Sequence, residues 1–427
     1  MNRDLTQEDR WVVPLSARAR LACVGAVALA IALRFPSLIS HPRMWAEEAL
    51  VFFVRARTLP LWNALTLGHA GYLSLFTNVA ALLAAWAPLE QAPAVTTALA
   101  FAVQLLPFAV VLAGRSSLWR NPVRQLVSAL VLLLVLPNRE TWLTTTSSQF
   151  VLSLAVFLVA LEDEEPSRAG LALRGGLVVL AGLTGPPSCL LVPVFAWRAF
   201  RLRTCSAVLL FALLAGCCLV QAGYVLHAGL ANPQVLAVRR APITPVLLGE
   251  IILVKTLAVP LVGEHAASMI QQWVTQLQRG HLLLALGSVA LWAGLLALAA
   301  NAVPKTLRAP LLVGVIGVTV ASSALSLGAK EPLLLPMGGE RYYQAPNSAL
   351  FLALAAGAGW PSWKSVLRGT LVGLAIIVGF ATYRQPFGWS EGPDWRAEIA
   401  LWRADPGHRI RIWPDGWAMP LDPKVTR

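Results

Sequence analysis

Charged residues are scarce in this sequence. Of its 427 residues, 13% are charged and 57% are hydrophobic, whereas an average soluble domain carries about 25% charged residues. Apolar segments recur along the whole length, which predicts a polytopic α-helical membrane protein rather than a soluble domain. The net charge of +13 comes from Arg and Lys in short loops between these segments. Such loops are orientation signals, so the charge does not indicate a nucleic-acid partner.

Cysteine and histidine form no recognisable pattern. The five cysteines all lie in apolar runs and no CxxC occurs, so no disulfide framework is predicted. The histidines show neither an HxxxH nor an H-E spacing, which argues against a zinc site. The N-terminus also lacks the cleavage pattern of a signal peptide, so residues 21–37 are expected to be a retained first span.

The apolar segments and the basic loops together predict a topology. Arg10, Arg18 and Arg20 precede the first span, which predicts a cytoplasmic N-terminus. By the twenty-residue rule we expect about eleven spans. The ten after the first are expected at 93–113, 125–137, 149–161, a helix pair within 171–198, 205–225, 281–300, 310–328, 346–359 and 366–382.

The apolar run 71–88 is not counted as a crossing. Counting it would put Arg115, Arg120 and Arg124 on the outer side, together with the later basic loops. We therefore predict a helix that lies along the outer membrane surface. The expected architecture is an all-α membrane module followed by an outside tail. The module covers 1–382, with outer loops at 38–92, 138–148, 226–280 and 329–345, and the tail covers 383–427.

Two adjacent carboxylates, Glu47 and Glu48, follow the first predicted span. One interpretation is helix chemistry, because acidic residues in a first turn are favoured by the helix dipole. The other is functional, because a carboxylate at a membrane boundary has a raised pKa and a useful basicity. Apolar residues follow directly, so this helix is expected to lie on or in the membrane.

Further polar residues gather in the predicted outer loops. Glu140 stands in "PNRET", Gln149 in "TTTSSQF", Arg341 in "MGGERYYQAP", and Arg239 and Arg240 form a basic pair. An acid can deprotonate an acceptor hydroxyl, and a guanidinium can hold a leaving phosphate with paired N–H donors. The set therefore suits a transfer reaction on a phosphorylated lipid. Contact with lipid headgroups and an aromatic interface belt are the alternative interpretations of the basic pair and of the Tyr residues after Arg341.

Six short stretches carry a resemblance to a known superfamily. They are "WAEEALVF" (45–52), "HAGYLSLF" (69–76), "TSSQF" (146–150), "LTGPP" (183–187), "GERYY" (339–343) and "PDWRAE" (393–398). Their order resembles the GT-C superfamily of polyprenyl-phosphate-dependent glycosyltransferases, and more narrowly a group of multi-span bacterial membrane proteins. The chain departs from that pattern in having Glu48 where Asp is expected, Ala49 where Gly is expected, and His69 in place of an aromatic residue.

The resemblance implies a fold, a location and an activity. The fold would be a GT-C-like bundle with periplasmic juxtamembrane helices, in the bacterial inner (cytoplasmic) membrane. The site would face the periplasm. There it would transfer a sugar, with inversion, from a polyprenyl-phosphate-linked donor to a hydroxyl of a cell-envelope glycan or glycolipid, with membrane lipid as the surroundings.

The resemblance also implies roles for individual residues. Either Glu48 or Glu47 would be the base, with Glu48 preferred because it aligns with the expected Asp. Glu140 would be an auxiliary carboxylate, which could share a divalent cation with that pair; no metal ligand and no other cofactor is assigned. Arg341 would bind the phosphate. The remaining substrate contacts would come from Tyr342, Tyr343, Arg239, Arg240, His69, Tyr72 and Gln149.

The main rival is a transporter or flippase for a lipid or oligosaccharide. Such a protein should have ionisable residues inside the membrane and two pseudo-symmetric halves. Glu250 and Lys255 are the main ionisable residues within an apolar run, and they fall in a predicted outer stretch. The acids gather on one face, which favours one-sided chemistry. A non-catalytic assembly subunit would leave the Glu47–Glu48 pair without a purpose.

Overall fold

Helices make up nearly all the regular structure of the computed structural model, which describes residues 15–237, 241–326, 328–359, 362–385 and 392–422. Arg239 and Arg240 lie outside these residues. The first helices are α1 (Ala17–Arg34) and α2 (Pro36–Ser40). The first predicted outer segment (38–92) then contains a π-helix (Glu48–Phe53) that continues into α3 (Val54–Thr58), α4 (Leu61–Thr66) and α5 (Leu75–Trp86). The next helices are α6 (Ala92–Ala113), α7 (Pro122–Leu134), α8 (Ser148–Ala160), α9 (Arg168–Leu183), α10 (Pro186–Cys189), α11 (Val192–Leu202), α12 (Cys205–Ala231) and α13 (Pro233–Ala237).

The second half continues in the same manner. A π-helix (Leu253–Ala258) joins α14 (Pro245–Ile252) to α15 (Val259–Gln276), and α16 (His281–Ala300) and α17 (Lys305–Leu325) follow. Two 3₁₀ turns (Glu331–Leu334 and Glu340–Tyr342) lead to α18 (Gln344–Ala356) and α19 (Trp363–Ala381). The tail holds α20 (Trp395–Ala404) and a hairpin of β1 (Ile410–Ile412) and β2 (Trp417–Met419), with Ile410 opposite Met419.

Local signals explain where several helices begin. Ser16, Thr204 and Asp394 accept hydrogen bonds from the first turns of α1, α12 and α20, and such caps satisfy otherwise unpaired N–H groups. Pro122 and Pro186 stand at the first positions of α7 and α10, where proline's fixed φ suits a helix start. These signals are readable in the sequence.

Within the described residues, six helices are long and apolar enough to cross a membrane. They are Leu89–Ala113, Cys205–Ala231, Pro245–Gln276, His281–Ala300, Lys305–Leu325 and Trp363–Ala381. A seventh span is available if the pair Arg168–Leu183 and Pro186–Leu202, bent by 118°, counts as one. The predicted all-α, multi-pass organisation is therefore present.

The predicted count of eleven spans is not supported by helix lengths. Each predicted segment contains a helix, but α7, α8 and α18 have only 13 residues each, about 20 Å against a hydrocarbon core of about 30 Å. The predicted outer stretch 226–280 also needs correction, because Pro245–Gln276 is long and apolar enough to span. Polar residues such as Glu250, Lys255 and Glu264 interrupt the apolar run in the sequence, which led to its prediction as an outer stretch.

Two of the short helices form the centre of the bundle. Every residue of α8 and every residue of α18 is buried, and the two helices pack against each other. A helix that is apolar on all sides belongs in a protein interior. By contrast, α5, which forms most of the run 71–88, has one exposed apolar face and only 12 residues. Its length does not mark it as a span, and its interpretation as a surface-lying helix stays a prediction.

The tail packs on the first outer segment. Trp395, Ile399 and Trp402 of α20 share one hydrophobic core with Met44, Phe53 and other residues of the segment 44–92. The indole N–H of Trp395 donates to the carbonyl of Leu89 at 2.9 Å. The tail and the segment 44–92 therefore form one packed unit, and this segment supplies part of the lining of the cavity described next.

Candidate active site

A tight turn presents two of the predicted site residues. In "HAGY" the N–H of His69 donates to the carbonyl of Tyr72 at 2.9 Å, and that of Tyr72 donates to His69 at 3.1 Å. The central residues Ala70 and Gly71 have φ of 50° and 83°, the left-handed pair of a type I′ hairpin turn. Both His69 and Tyr72 line a cavity below this turn.

This cavity, of about 140 Å³, brings together residues from five of the six motif stretches. Six of the predicted site residues line it: Glu47, His69, Tyr72, Gln149, Arg341 and Tyr342. Three others, Glu48, Glu140 and Tyr343, lie behind its wall, and Arg239 and Arg240 lie outside the described residues. The residues missed at the sequence level are mostly aromatic, hydroxyl or proline neighbours of the motifs: Trp45, Phe52, Thr146, Ser147, Phe150, Pro186 and Pro187.

Gln149 connects three motif stretches at the cavity wall. Its amide nitrogen donates to the hydroxyl of Tyr72 at 3.3 Å and to the carbonyl of Thr146 at 3.2 Å. Gly185 packs directly against this side chain, and a Cβ there would lie 2.2 Å from the Gln149 oxygen. With φ of 150° at Gly185, only glycine fits the position. This contact joins the stretches "LTGPP" and "TSSQF" at the cavity wall.

Glu48 is a buried hydrogen-bond acceptor that does not line the cavity. One carboxylate oxygen accepts from the N–H of Trp45 at 3.0 Å, a helix-start pattern. The other accepts from the N–H of Thr145 at 3.0 Å and from the Thr145 hydroxyl. The side chain is only 2% exposed, and burial raises the pKa of Glu48 although these hydrogen bonds oppose the shift. Glu48 thus ties the first outer segment to the loop before α8.

Glu47, by contrast, faces the cavity, and the tail holds the backbone immediately before it. The N–H of Ala46 donates to the carbonyl of Trp413, and the N–H of Trp413 donates to Met44 at 3.3 Å. The rings of Trp45 and Trp413 meet edge to face with 6.5 Å between centroids. Ala46 has a φ of 22°, an unfavourable value for a residue with a side chain. These contacts hold the strained residue and so place Glu47.

Arg341 and Glu140 form an ion pair in the opposite wall. The Arg341 guanidinium contacts one Glu140 oxygen, and the Arg341 N–H donates to the other at 3.2 Å. Burial alone would lower the pKa of Arg341, but the Glu140 carboxylate raises it above its usual value. Burial raises the pKa of Glu140, while Arg341 opposes that shift. The Arg341 side chain remains 33% exposed, so its fork still reaches the cavity.

A second layer of charges holds the loop that carries Arg341. Glu340 accepts from the N–H groups of Arg139 and Glu140 at 2.9 and 3.0 Å. The Arg139 guanidinium pairs with Glu264 and lies 3.8 Å from Glu340. The Lys255 ammonium donates to three carbonyls of residues 335–338 at 2.5–2.8 Å. The sequence analysis did not select Arg139 or Glu340. Each directly precedes a predicted site residue, Glu140 or Arg341, and this adjacency is the sequence feature that could have identified them.

Tyr343 has a structural position rather than the predicted substrate contact. Its side chain is fully buried and its hydroxyl lies 2.8 Å from that of Ser323, and burial raises its pKa above the ordinary value. Its neighbour Tyr342 does line the cavity, with the Arg341 guanidinium 5.2 Å from its ring centroid. Within the described ranges, no three His, Cys, Asp or Glu side chains are grouped so that they could hold a metal ion.

Comparisons of the chain with protein-family models, with curated proteins and with solved structures find no match.

Proposed function

We propose that this protein is a membrane glycosyltransferase of the GT-C type. It transfers a sugar from a polyprenyl-phosphate donor to a hydroxyl of a cell-envelope glycan or glycolipid, with inversion. The observation that carries the proposal is the joint placement of Glu47 and Arg341 in one cavity. A base and a phosphate-binding cation in one site are the two groups that such a displacement requires.

In this proposal the guanidinium of Arg341 binds the departing phosphate through paired N–H donors. Glu140 fixes the guanidinium by its ion pair. Glu47 removes the proton of the acceptor hydroxyl, which attacks the anomeric carbon as the bond to the phosphate oxygen breaks. Glu48 keeps the loop of Thr145 in place and acts as a positioning residue. The proposal therefore assigns the base to Glu47, whereas the resemblance implies Glu48.

The same proposal places eleven helices across or within the bacterial inner membrane, with the cavity on the periplasmic side. The short α7, α8 and α18 are counted among the crossings, and neighbouring helices bury α8 and α18 completely. For the transporter alternative, the residues to consider are Glu250 and Lys255, the main ionisable residues within an apolar run. Glu250 lies 2.6 Å from the His281 ring nitrogen, and Lys255 binds loop carbonyls, so both ionisable residues have structural partners.

The test is binding and turnover of a polyprenyl-phosphate donor by the purified protein in lipid nanodiscs. Polyprenyl phosphate should bind the wild-type protein and bind Arg341→Ala at least about tenfold more weakly, because a charge-assisted contact contributes roughly 1.5–3 kcal/mol. Arg409→Ala, in an exposed position of the tail, is the matched control and should bind normally. Equal binding by Arg341→Ala and the wild-type protein would contradict the proposal.

A further inference from the structure

A second cavity lies where the tail meets the first outer segment. This cleft of about 590 Å³ is lined by Arg57 at the end of α3, by Trp86 and the residues just after α5, and by Trp402 and Arg403 of α20. Two arginines and two tryptophans in one cleft give it a cationic and aromatic character. None of its residues lines the cavity that holds Glu47 and Arg341.

The position of the cleft relative to the membrane follows from two neighbouring helices. The apolar span Leu89–Ala113 begins at the cleft, since Leu89 is one of its lining residues. The end of a spanning helix lies at headgroup level whichever way the molecule is oriented. The exposed apolar face of α5 (Val79, Leu83 and Trp86) leads to the same place, and Trp86 is 63% exposed. Exposed tryptophan at a span end is typical of the membrane interface.

We infer that this cleft binds the headgroup of an anionic phospholipid. The arginines would hold the phosphate, for which guanidinium groups are suited by their planar donors. Trp86 and the exposed face of α5 would contact the acyl chains. Basic clefts at helix ends near the headgroup region are the usual sites for such lipids. The inference does not depend on the proposed transfer reaction.

Glu90 provides an internal check on this inference. Its carboxylate pairs with the Arg403 guanidinium at 2.5 Å, and both side chains are partly exposed. A lipid phosphate at the cleft would compete with Glu90 for the same guanidinium. Removing the carboxylate should therefore strengthen lipid binding, whereas removing either arginine should weaken it. Loss of folding alone would not produce this opposite response.

The cleft also lies close to the candidate active site along the chain. Glu47 lines one cavity and Arg57 the other, and the continuous helical stretch between them spans ten residues, about 15 Å at the helical rise. The tail contributes to both places, through Trp413 behind Trp45 and through Trp402 in the cleft. A bound lipid would contact both the tail and the first outer segment. The contact of Trp45 with Trp413, which positions Glu47, joins the same two parts.

The experiment is native mass spectrometry of the delipidated full-length protein titrated with phosphatidylglycerol or phosphatidylcholine. We expect preferential binding of phosphatidylglycerol. Its affinity should fall about tenfold in Arg403→Gln and Arg57→Gln, because each removes a charge-assisted contact, and rise in Glu90→Gln. Arg409→Gln, an exposed arginine of the tail away from the cleft lining, is the matched control and should bind as the wild-type protein does.

Two kinds of result would overturn the inference. One is unchanged or weakened binding of phosphatidylglycerol in Glu90→Gln together with unchanged binding in Arg403→Gln. The other is equal occupancy by soluble glycerol phosphate at the same concentration, which would identify a site for a free phosphate ester rather than a lipid. Melting temperatures measured in parallel identify any variant that fails to fold. If an arginine variant fails, the phosphatidylglycerol affinity of Glu90→Gln decides the outcome.

Discussion

Glu47 and Glu48 are neighbours in the chain with opposite surroundings. Glu48 is buried and accepts hydrogen bonds from Trp45 and Thr145, whereas Glu47 lines the cavity that contains Arg341. The resemblance to GT-C enzymes favours Glu48 as the base, because it aligns with the expected Asp. Our proposal assigns the base to Glu47, because a general base must reach the proton that it removes and Glu47 lines the cavity.

The variants Glu47→Gln and Glu48→Gln should therefore have different defects, the first in transfer rate and the second in stability. Glu47→Gln should fold normally and transfer sugar about a hundredfold more slowly or worse, since a positioned base contributes roughly 10²–10⁴ in rate. Glu48→Gln should lose stability by about 1–3 kcal/mol, because an amide nitrogen would face buried N–H donors. Single-turnover transfer and thermal unfolding, measured on both variants, would distinguish them. Wild-type transfer rates in both would exclude the catalytic interpretation of the pair.

The Arg341–Glu140 pair predicts an order of defects. Arg341→Lys keeps the charge but loses the planar fork, so it should reduce transfer less than Arg341→Ala does. Glu140→Gln should lie between the wild-type protein and Arg341→Ala, because it loosens the guanidinium without removing it. Donor KM and kcat for the three variants would check the order. A Glu140→Gln variant more impaired than Arg341→Ala would instead indicate that Glu140 reacts directly.

Trp413 in the tail should matter for the site although it does not line the cavity. Trp413→Ala removes the ring that contacts Trp45 and Arg43, and so frees the strained backbone before Glu47. We expect donor binding to stay near wild type while kcat falls. Arg409→Ala in the same tail is the control. A Trp413→Ala variant with unchanged kcat would show that the tail does not position Glu47.

The tail should lose internal stability in acid. Glu398 accepts from Arg411 at 2.6 and 2.8 Å and contacts His408 at 2.9 Å. Burial opposes ionisation, but these hydrogen bonds prevail and lower the pKa of Glu398 from 4.5 to about 2. The carboxylate joins α20 to the hairpin, so it stabilises the packing within the tail fully above pH 4.5, and this contribution is lost as the pH falls from 4.5 to 2.

Hydrogen exchange of residues 395–421 between pH 6 and pH 2 would measure this loss of stability. The Glu398→Gln variant should lack the transition, because it has no proton to take up at this position. A transition of the same size in that variant would assign the acid sensitivity to another group.

The proposed topology has a direct test by cysteine labelling. Arg115→Cys, in the loop between α6 and α7, should be labelled only after the membrane is permeabilised. Arg409→Cys in the tail should be labelled by an impermeant reagent in intact spheroplasts. The physical reason is the concentration of Arg in loops on one side of the bundle. Labelling of both positions from outside would place an even number of crossings, not the predicted odd number, between them.

The sequence by itself determined the local features. Apolar segments of helical length gave the order of the helices, because burial in lipid requires backbone groups to pair within each segment. Turn and cap chemistry is local as well, as in the hairpin turn at Ala70–Gly71 and the cap at Asp394. Six of the predicted site residues line one cavity because each motif stretch sits where a helix starts or a loop turns.

Only the tertiary structure decided how these pieces face one another. Adjacent residues on a helix point about 100° apart, and a π-helix shifts the register, so no periodicity argument tells which of Glu47 and Glu48 faces the cavity. The Arg139–Glu264 pair and the contact of Trp45 with Trp413 join residues far apart in the chain. Their geometry depends on packing between elements, and hydropathy and local propensity carry no information about it.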